Sequence, residues 1–210
     1  DVWTNATGRA TMRLVGSAMV NGALGVGFGG NPTDVIRTNG AVVATRGRQA
    51  DTQPRTFPRP VAPAGCTQHG EVRLRGGDTL SLPAGAHCFE SLAADANSVL
   101  RGTGGKVEIY VSGAVDIGGC SVVGAGAVPT NLQINVTGDD DVRIRGTSTF
   151  VGAVYAPASD VTVDSATIYG AVVGDEISLV GGIVVHRDEA LTGGNGTNSH
   201  EVKLISWRDL

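Results

Sequence analysis

Residues 150–157 read Phe-Val-Gly-Ala-Val-Tyr-Ala-Pro, and residues 168–175 read Ile-Tyr-Gly-Ala-Val-Val-Gly-Asp. The Gly-Ala-Val cores start at Gly152 and Gly170, a period of 18, and an aromatic residue precedes each, Phe150 or Tyr169. Short alternating runs keep step with them. Those beginning at Val142, Val161 and Ile177 lie 19 and 16 residues apart. Such a period is too short for a propeller blade and lacks the framework of leucine-rich repeats. It fits a β-solenoid of about 18 residues per coil, three short strands to a turn, with Val, Ile and Ala stacked inside and Gly at the corners. A β-sandwich with strands every ~8–12 residues is the competing architecture. The matched repeat favours the solenoid.

Outward from this repeat the pattern persists. Val72-Arg-Leu-Arg, Lys106-Val-Glu-Ile-Tyr-Val and Leu132-Gln-Ile-Asn-Val each alternate apolar with polar residues, as half-buried strands do. No stretch keeps helical periodicity beyond two turns, so the chain reads as all-β. Arg9–Phe28 reads as one or two short strands, and residues 29–65 hold most of the prolines, which enforce extended backbone. The expected organisation is N-terminal strands over 1–28 forming a possible first coil, a Pro/Arg-rich connecting loop over 29–65, the solenoid over 66–192, and a Gly-rich loop with a capping strand over 193–210. Trp207 is expected to cover the solenoid end.

Composition narrows the class. The 210 residues include 32 Gly without collagen's every-third spacing, and 41% are hydrophobic against 17% charged, which excludes a disordered chain. Aromatic residues make up only 4%, in keeping with a bore too narrow for many rings. No run of about 18 apolar residues appears, so no membrane span is expected. The sequence starts at Asp1, so a targeting segment is expected to lie upstream or to have been removed. The net charge of −4 argues against a dedicated nucleic-acid binder. One basic stretch stands apart. Arg37, Arg46, Arg48, Arg55 and Arg59 have only Asp34 and Asp51 for company and read as a flexible contact arm or a solvated linker.

Three cysteines, Cys66, Cys88 and Cys120, exclude complete internal pairing. In an exported protein Cys66 and Cys88 would close a 22-residue loop, worth about 3 kcal/mol. Cys120 reads as a small buried hydrophobe. No zinc spacing occurs.

Few constellations carry chemistry. Asp139, Asp140 and Asp141 superficially resemble the paired acids of polygalacturonases, but that family's Gly-His-Gly element is missing. Adjacent strand residues alternate in direction, so the three read as a polar turn, with loose Ca²⁺ coordination as the weaker alternative. His186 beside Asp188 and Glu189 suggests a base with its orienter, yet no Gly-x-Ser-x-Gly elbow supplies a nucleophile. His69, His87 and His200 read as isolated loop residues without metal-ligand spacing. No cofactor and no enzyme activity are expected. Rows of Thr-x-Thr, which would suggest ice binding, are absent.

The ordered series from Phe150-Val-Gly-Ala-Val-Tyr-Ala-Pro through Tyr169-Gly-Ala-Val-Val-Gly to His186-Arg-Asp-Glu-Ala-Leu resembles the core of a bacterial surface domain. That domain of unknown function is found in PilX-like minor-pilin-related proteins. The resemblance covers roughly residues 71–210. It implies a right-handed parallel β-solenoid, exported and attached to a type IV pilus or the cell surface, with His186 and its acids turning the chain at the end of the last coil. Residues 1–28 do not match the hydrophobic pilin-type N-terminal helix that the resemblance implies, and such a helix is expected to lie upstream or to have been removed if the protein joins a pilus. The expected function is a non-enzymatic extracellular structural or adhesive module. Its expected partners are other surface-assembly subunits, polysaccharide, DNA or further copies of itself. The alternatives are a filament or sheath subunit, a DNA-capturing minor pilin and a polysaccharide-degrading β-helix enzyme.

Overall fold

Alternation decides which side chains meet. In Val142–Arg145, Val142 and Ile144 are buried while Arg143 and Arg145 are exposed, and Val161–Asp164 and Ile177–Val180 follow the same rule. These strands pair in parallel with the strand one coil away, Val142 on Val161 on Ile177. A slip of one residue would turn every inward aliphatic side chain to water, which pins the register.

A computed structural model describes residues 1–53, 57–119, 121–146 and 148–186. They form an all-β, parallel β-solenoid of about eight coils, averaging about 22 residues each. The 18-residue repeat belongs to one pair of coils, where Thr149–Ala156 lies in unbroken register on Thr167–Gly174. Elsewhere the coil length differs. Stacked residues are 20 apart between Val72 and Leu92, 27 between Val115 and Val142, and 16 between Val161 and Ile177. The longest of these coils contains two 3₁₀ turns, Ala125–Ala127 and Pro129–Asn131.

Each coil contributes to three faces. Face A runs from Val72 through Leu92, Val115, Val142, Val161 and Ile177. Face B includes Leu80, Leu100, Val122, Phe150 and Ile168, and face C includes Ile109, Ile134, Val154 and Val172. All the residues named point into one aliphatic core, Val72 and Leu80 at its partly buried lower end. Phe150 is the largest fully buried side chain.

The order of coils is not the order of the chain. Climbing from Thr67–Leu74, the stack reaches Ile177–Val180 and Ile183–His186. There it continues with Met12–Val15 and Ala18–Asn21 from the N-terminal region. Val2–Thr4 slots between Val172–Gly174 below and Leu24–Val26 above. Ile36–Asn39, Val42–Ala44 and Arg48–Ala50 make the uppermost coil. The expected connecting loop over 29–65 is therefore shorter: residues 32–50 form a one-turn helix, Pro32–Val35, and three strands. Asn31 caps that helix through its side chain. Only the stretch from Asp51 to Cys66 connects the top of the rod to its bottom.

Close stacking demands glycine at specific rungs. Gly170 adopts φ +148, and a Cβ there would run into the Gly152 carbonyl oxygen. A Cβ on Gly25 would collide with the Trp3 indole, which is buried over that rung. Cys120 and residues 187–210, including Trp207 and His200, lie outside the described residues.

Candidate functional face

The three faces present different chemistry to their surroundings. On face C the outward row comprises Cys88, Tyr110, Asn135, Tyr155, Val173 and Trp3, and all are buried. The descending stretch lies against this row. Tyr155 donates its hydroxyl hydrogen to the Pro58 carbonyl at 2.9 Å, Phe57 packs its ring 6.5 Å from that of Tyr155, and a disulfide joins Cys66 to Cys88. Burial pushes the Tyr155 phenol up to about 12. Tyr110 is also pushed up to about 12, by burial first and then by the charge and hydrogen bond of Glu108. A buried phenolate is costly, and both groups stay neutral. Face C is thus occupied by the chain itself.

Face A is charged but largely self-neutralised in its lower coils. Arg73 pairs with Asp95 at 3.0 Å, Arg145 with Asp116 at 2.6 Å and Arg143 with Asp141 at 2.7 Å. The Asp116 carboxylate, by hydrogen bond and charge, raises the Arg145 guanidinium further. Asp139, Asp140 and Asp141 form an exposed corner between Leu132–Val136 and Val142–Arg145, and Asp141 is engaged by Arg143. Among the described residues no three metal-ligating side chains come together.

Face B remains open and almost uncharged. One outward column runs Thr79, Val99, then Thr149, Thr167, Val184, Met19 and Val43. Met19 is 46% exposed and Val43 51%. The neighbouring column carries Tyr169, His186 and Asn21 on successive rungs. Tyr169 and His186 stack at 4.6 Å, and the Asn21 amide donates to His186 Nδ1 at 3.1 Å. Arg101, low on the face, is held by Ser81 through a 2.9 Å hydrogen bond. Rungs repeat every ~4.8 Å, and same-facing residues along a strand every ~6.6 Å. The result is a regular grid of methyl and hydroxyl groups with the Tyr169 and His186 rings and the Asn21 amide in the second column. Thr149 and Thr167 are neighbours across rungs rather than along a strand.

The arginines expected to form one flexible arm are dispersed. Arg37 and Arg48 lie on strands of the top coil, Arg46 sits in the turn between strands, and Arg59 is exposed on the descending stretch. Arg55 lies outside the described residues. His69 and His87, read as isolated in loops, instead meet at the bottom of the rod. His87 is 3% exposed and its Nε2–H donates to the Pro83 carbonyl at 2.8 Å, leaving Nδ1 to accept from His69 Nε2–H at 3.0 Å. The His69 ring stacks on Phe89 at 4.6 Å. Stacked residues in this coil are 20 apart, Thr67 on His87, and the register shifts beside His69, so the separation of 18 carries no clean periodic signal.

Comparisons with known proteins add one family. A family model described as a domain of unknown function, DUF7305, matches residues 90–193. No curated protein matches the chain. Among solved structures, a glycosylated ice-binding protein from an Arctic yeast aligns with TM-score 0.47 and 13% identity, over 93% of this chain and 95% of that one. A second structure of an ice-binding protein from an Arctic yeast, described in terms of its antifreeze activity, aligns with TM-score 0.45 and 16% identity, over 88% and 94%. None of these is described as a minor pilin.

Proposed function

We propose that this chain is a non-enzymatic, extracellular adhesive module that adsorbs through face B to an uncharged, repetitive polysaccharide surface, as part of a type IV pilus-like or cell-surface assembly. One observation carries the reading. Of the three faces, one is covered by the chain's own descending stretch and one is salt-bridged in its lower coils, while the third offers a regular grid with Arg101 low on it and few other charges. Flat arrays of hydroxyl and methyl groups match ordered sugar chains by contact along many rungs, without a pocket. The Cys66–Cys88 bond supports an oxidising, exported setting. The pilus assignment rests on the sequence resemblance alone.

Retention on insoluble cellulose and chitin tests the reading. Thr149→Lys with Thr167→Lys should abolish retention while leaving the circular dichroism spectrum unchanged. Equal retention by that variant, or release of reducing ends from the polymer, would overturn the proposal. A second reading, adsorption to ice, is favoured by the same Thr149–Thr167 row, whose hydroxyls and methyls recur at the rung spacing. Shaping of growing ice crystals without polysaccharide retention would establish it in place of the first.

A further inference from the structure

Face A treats its arginines in two ways. In the lower coils Arg73, Arg143 and Arg145 each meet a carboxylate. In the two upper coils Arg13 and Arg37 stand exposed on neighbouring rungs of one outward column. Arg13 Nε donates to the Ala10 carbonyl, and among the described residues no ion pair joins either arginine to a carboxylate. Arg48 adds a third guanidinium. It occupies the rung above Leu24, whose side chain points into the core. With no coil above it among the described residues, Arg48 reaches over the top rung and donates to the Ile36 carbonyl at 3.4 Å and to Thr38 Oγ1 at 3.2 Å.

The imbalance is regional. Residues 1–51 hold five arginines, Arg9, Arg13, Arg37, Arg46 and Arg48, against Asp1, Asp34 and Asp51, in a chain of net charge −4. Like charges on adjacent rungs, ~4.8 Å apart, repel and are held there by the ladder rather than by a partner. Beside them lie uncharged hydrogen-bonding groups: Ser178 directly below Arg13, and Thr38 and Asn39 next to Arg37.

We infer that the upper end of face A binds an anionic polysaccharide, with carboxylate or sulfate groups on Arg13 and Arg37 and sugar hydroxyls on Ser178 and Asn39. Charge complementarity selects an anion, and the surrounding hydroxyl and amide groups select a sugar chain. Nucleic acid fits less well. A single strand wants aromatic platforms, and the outward residues of the upper face A strands, Arg13, Val15, Arg37 and Asn39, include none. A duplex wants roughly 6–10 phosphate contacts, more cations than this surface presents. The surface is separate from face B, and neither reading depends on the other.

The test is binding of the whole chain to polygalacturonate, with uncharged dextran and oligothymidylate as comparison probes, in low and high salt. The expected result is salt-sensitive binding to polygalacturonate alone. It should be weakened about tenfold by Arg13→Gln with Arg37→Gln, each exposed contact counting near the top of its usual range. The same variant should keep its melting temperature, and Thr149→Lys with Thr167→Lys should leave polygalacturonate binding unchanged. Three results would overturn the inference: undiminished binding by the arginine variant, equal or tighter binding of oligothymidylate, or salt-sensitive self-association that the arginine variant abolishes.

Discussion

Removing the Cys66–Cys88 bond probes the bottom coil most directly. The two residues are 22 apart, and the loop they close holds Thr67–Leu74 and the start of Thr79–Ala94, most of the lowest coil. Restricting a loop of that length in the unfolded chain removes roughly 11 cal/mol/K, or about 3.4 kcal/mol at 25 °C. In a chain of this size each kcal/mol moves the melting temperature by ~2–4 °C, so Cys66→Ser with Cys88→Ser should melt roughly 7–14 °C lower. The loss should also be local. Coils contact only their neighbours, so the lowest one frays first, and the descending stretch loses its lower anchor. Hydrogen exchange should therefore accelerate over Thr67–Leu74 while Val142–Arg145 stays protected. A fall of less than about 2 °C, or acceleration spread evenly along the rod, would refute the reasoning.

Ile144→Ala, at a fully buried position, should cost about 2–5 kcal/mol in urea unfolding, whereas Arg143→Ala beside it should cost less than about 1 kcal/mol. Gly170→Ala combines a clash against the Gly152 carbonyl with a left-handed backbone; it should destabilise by about 2–4 kcal/mol, measured in the same way. Burial, and then the neighbouring His87, lower the His69 pKa from 6.5. As pH falls the unfolded chain takes up that proton first, so stability is level above pH 6.5 and declines below it. Urea midpoints measured from pH 8 to 5 should show this decline, and His69→Gln should reduce it.

Much of the solenoid was legible because its rule is local. Val142, Val161 and Ile177 advertise their stacking through alternation alone, and the structure sets them in register. The coil length was less legible. Thr149–Ala156 and Thr167–Gly174 share both an 18-residue spacing and a Gly-Ala-Val core, so they repeat visibly; the two top coils keep a constant spacing of 24 (Met12 on Ile36, Ala18 on Val42, Leu24 on Arg48) with no shared motif, and a corner such as Ala125–Asn131 varies without disturbing the inward columns. The meeting of Ile177–His186 with Met12–Asn21 leaves no periodic trace, because nothing in a strand's own sequence says which distant edge it will cover. For the same reason the face B columns were hidden. Thr149, Thr167, Val184 and Met19 are neighbours across rungs and strangers along the chain.

That unusual order of coils bears on whether the rod forms filaments. A solenoid's end rungs are unpaired edges, and a second copy stacked on the top in continuous register would set Val72 over Ile36 and Arg73 over Arg37. The top edge is built against this. Its strands are three or four residues long and carry Arg37 and Arg48, the short, cationic edge that discourages pairing with another chain. Yet Val42, Ala44 and Ala50 of the same coil are only partly buried, so the apolar contribution to stacking is present and the arginines oppose it. The unaltered protein should therefore sediment as a monomer even at low salt. Arg37→Thr with Arg48→Thr should form end-to-end fibres visible by electron microscopy. Fibres from the unaltered protein, with none gained by the variant, would mean that the arginines do not guard this end and that the filament reading outranks the adhesive one.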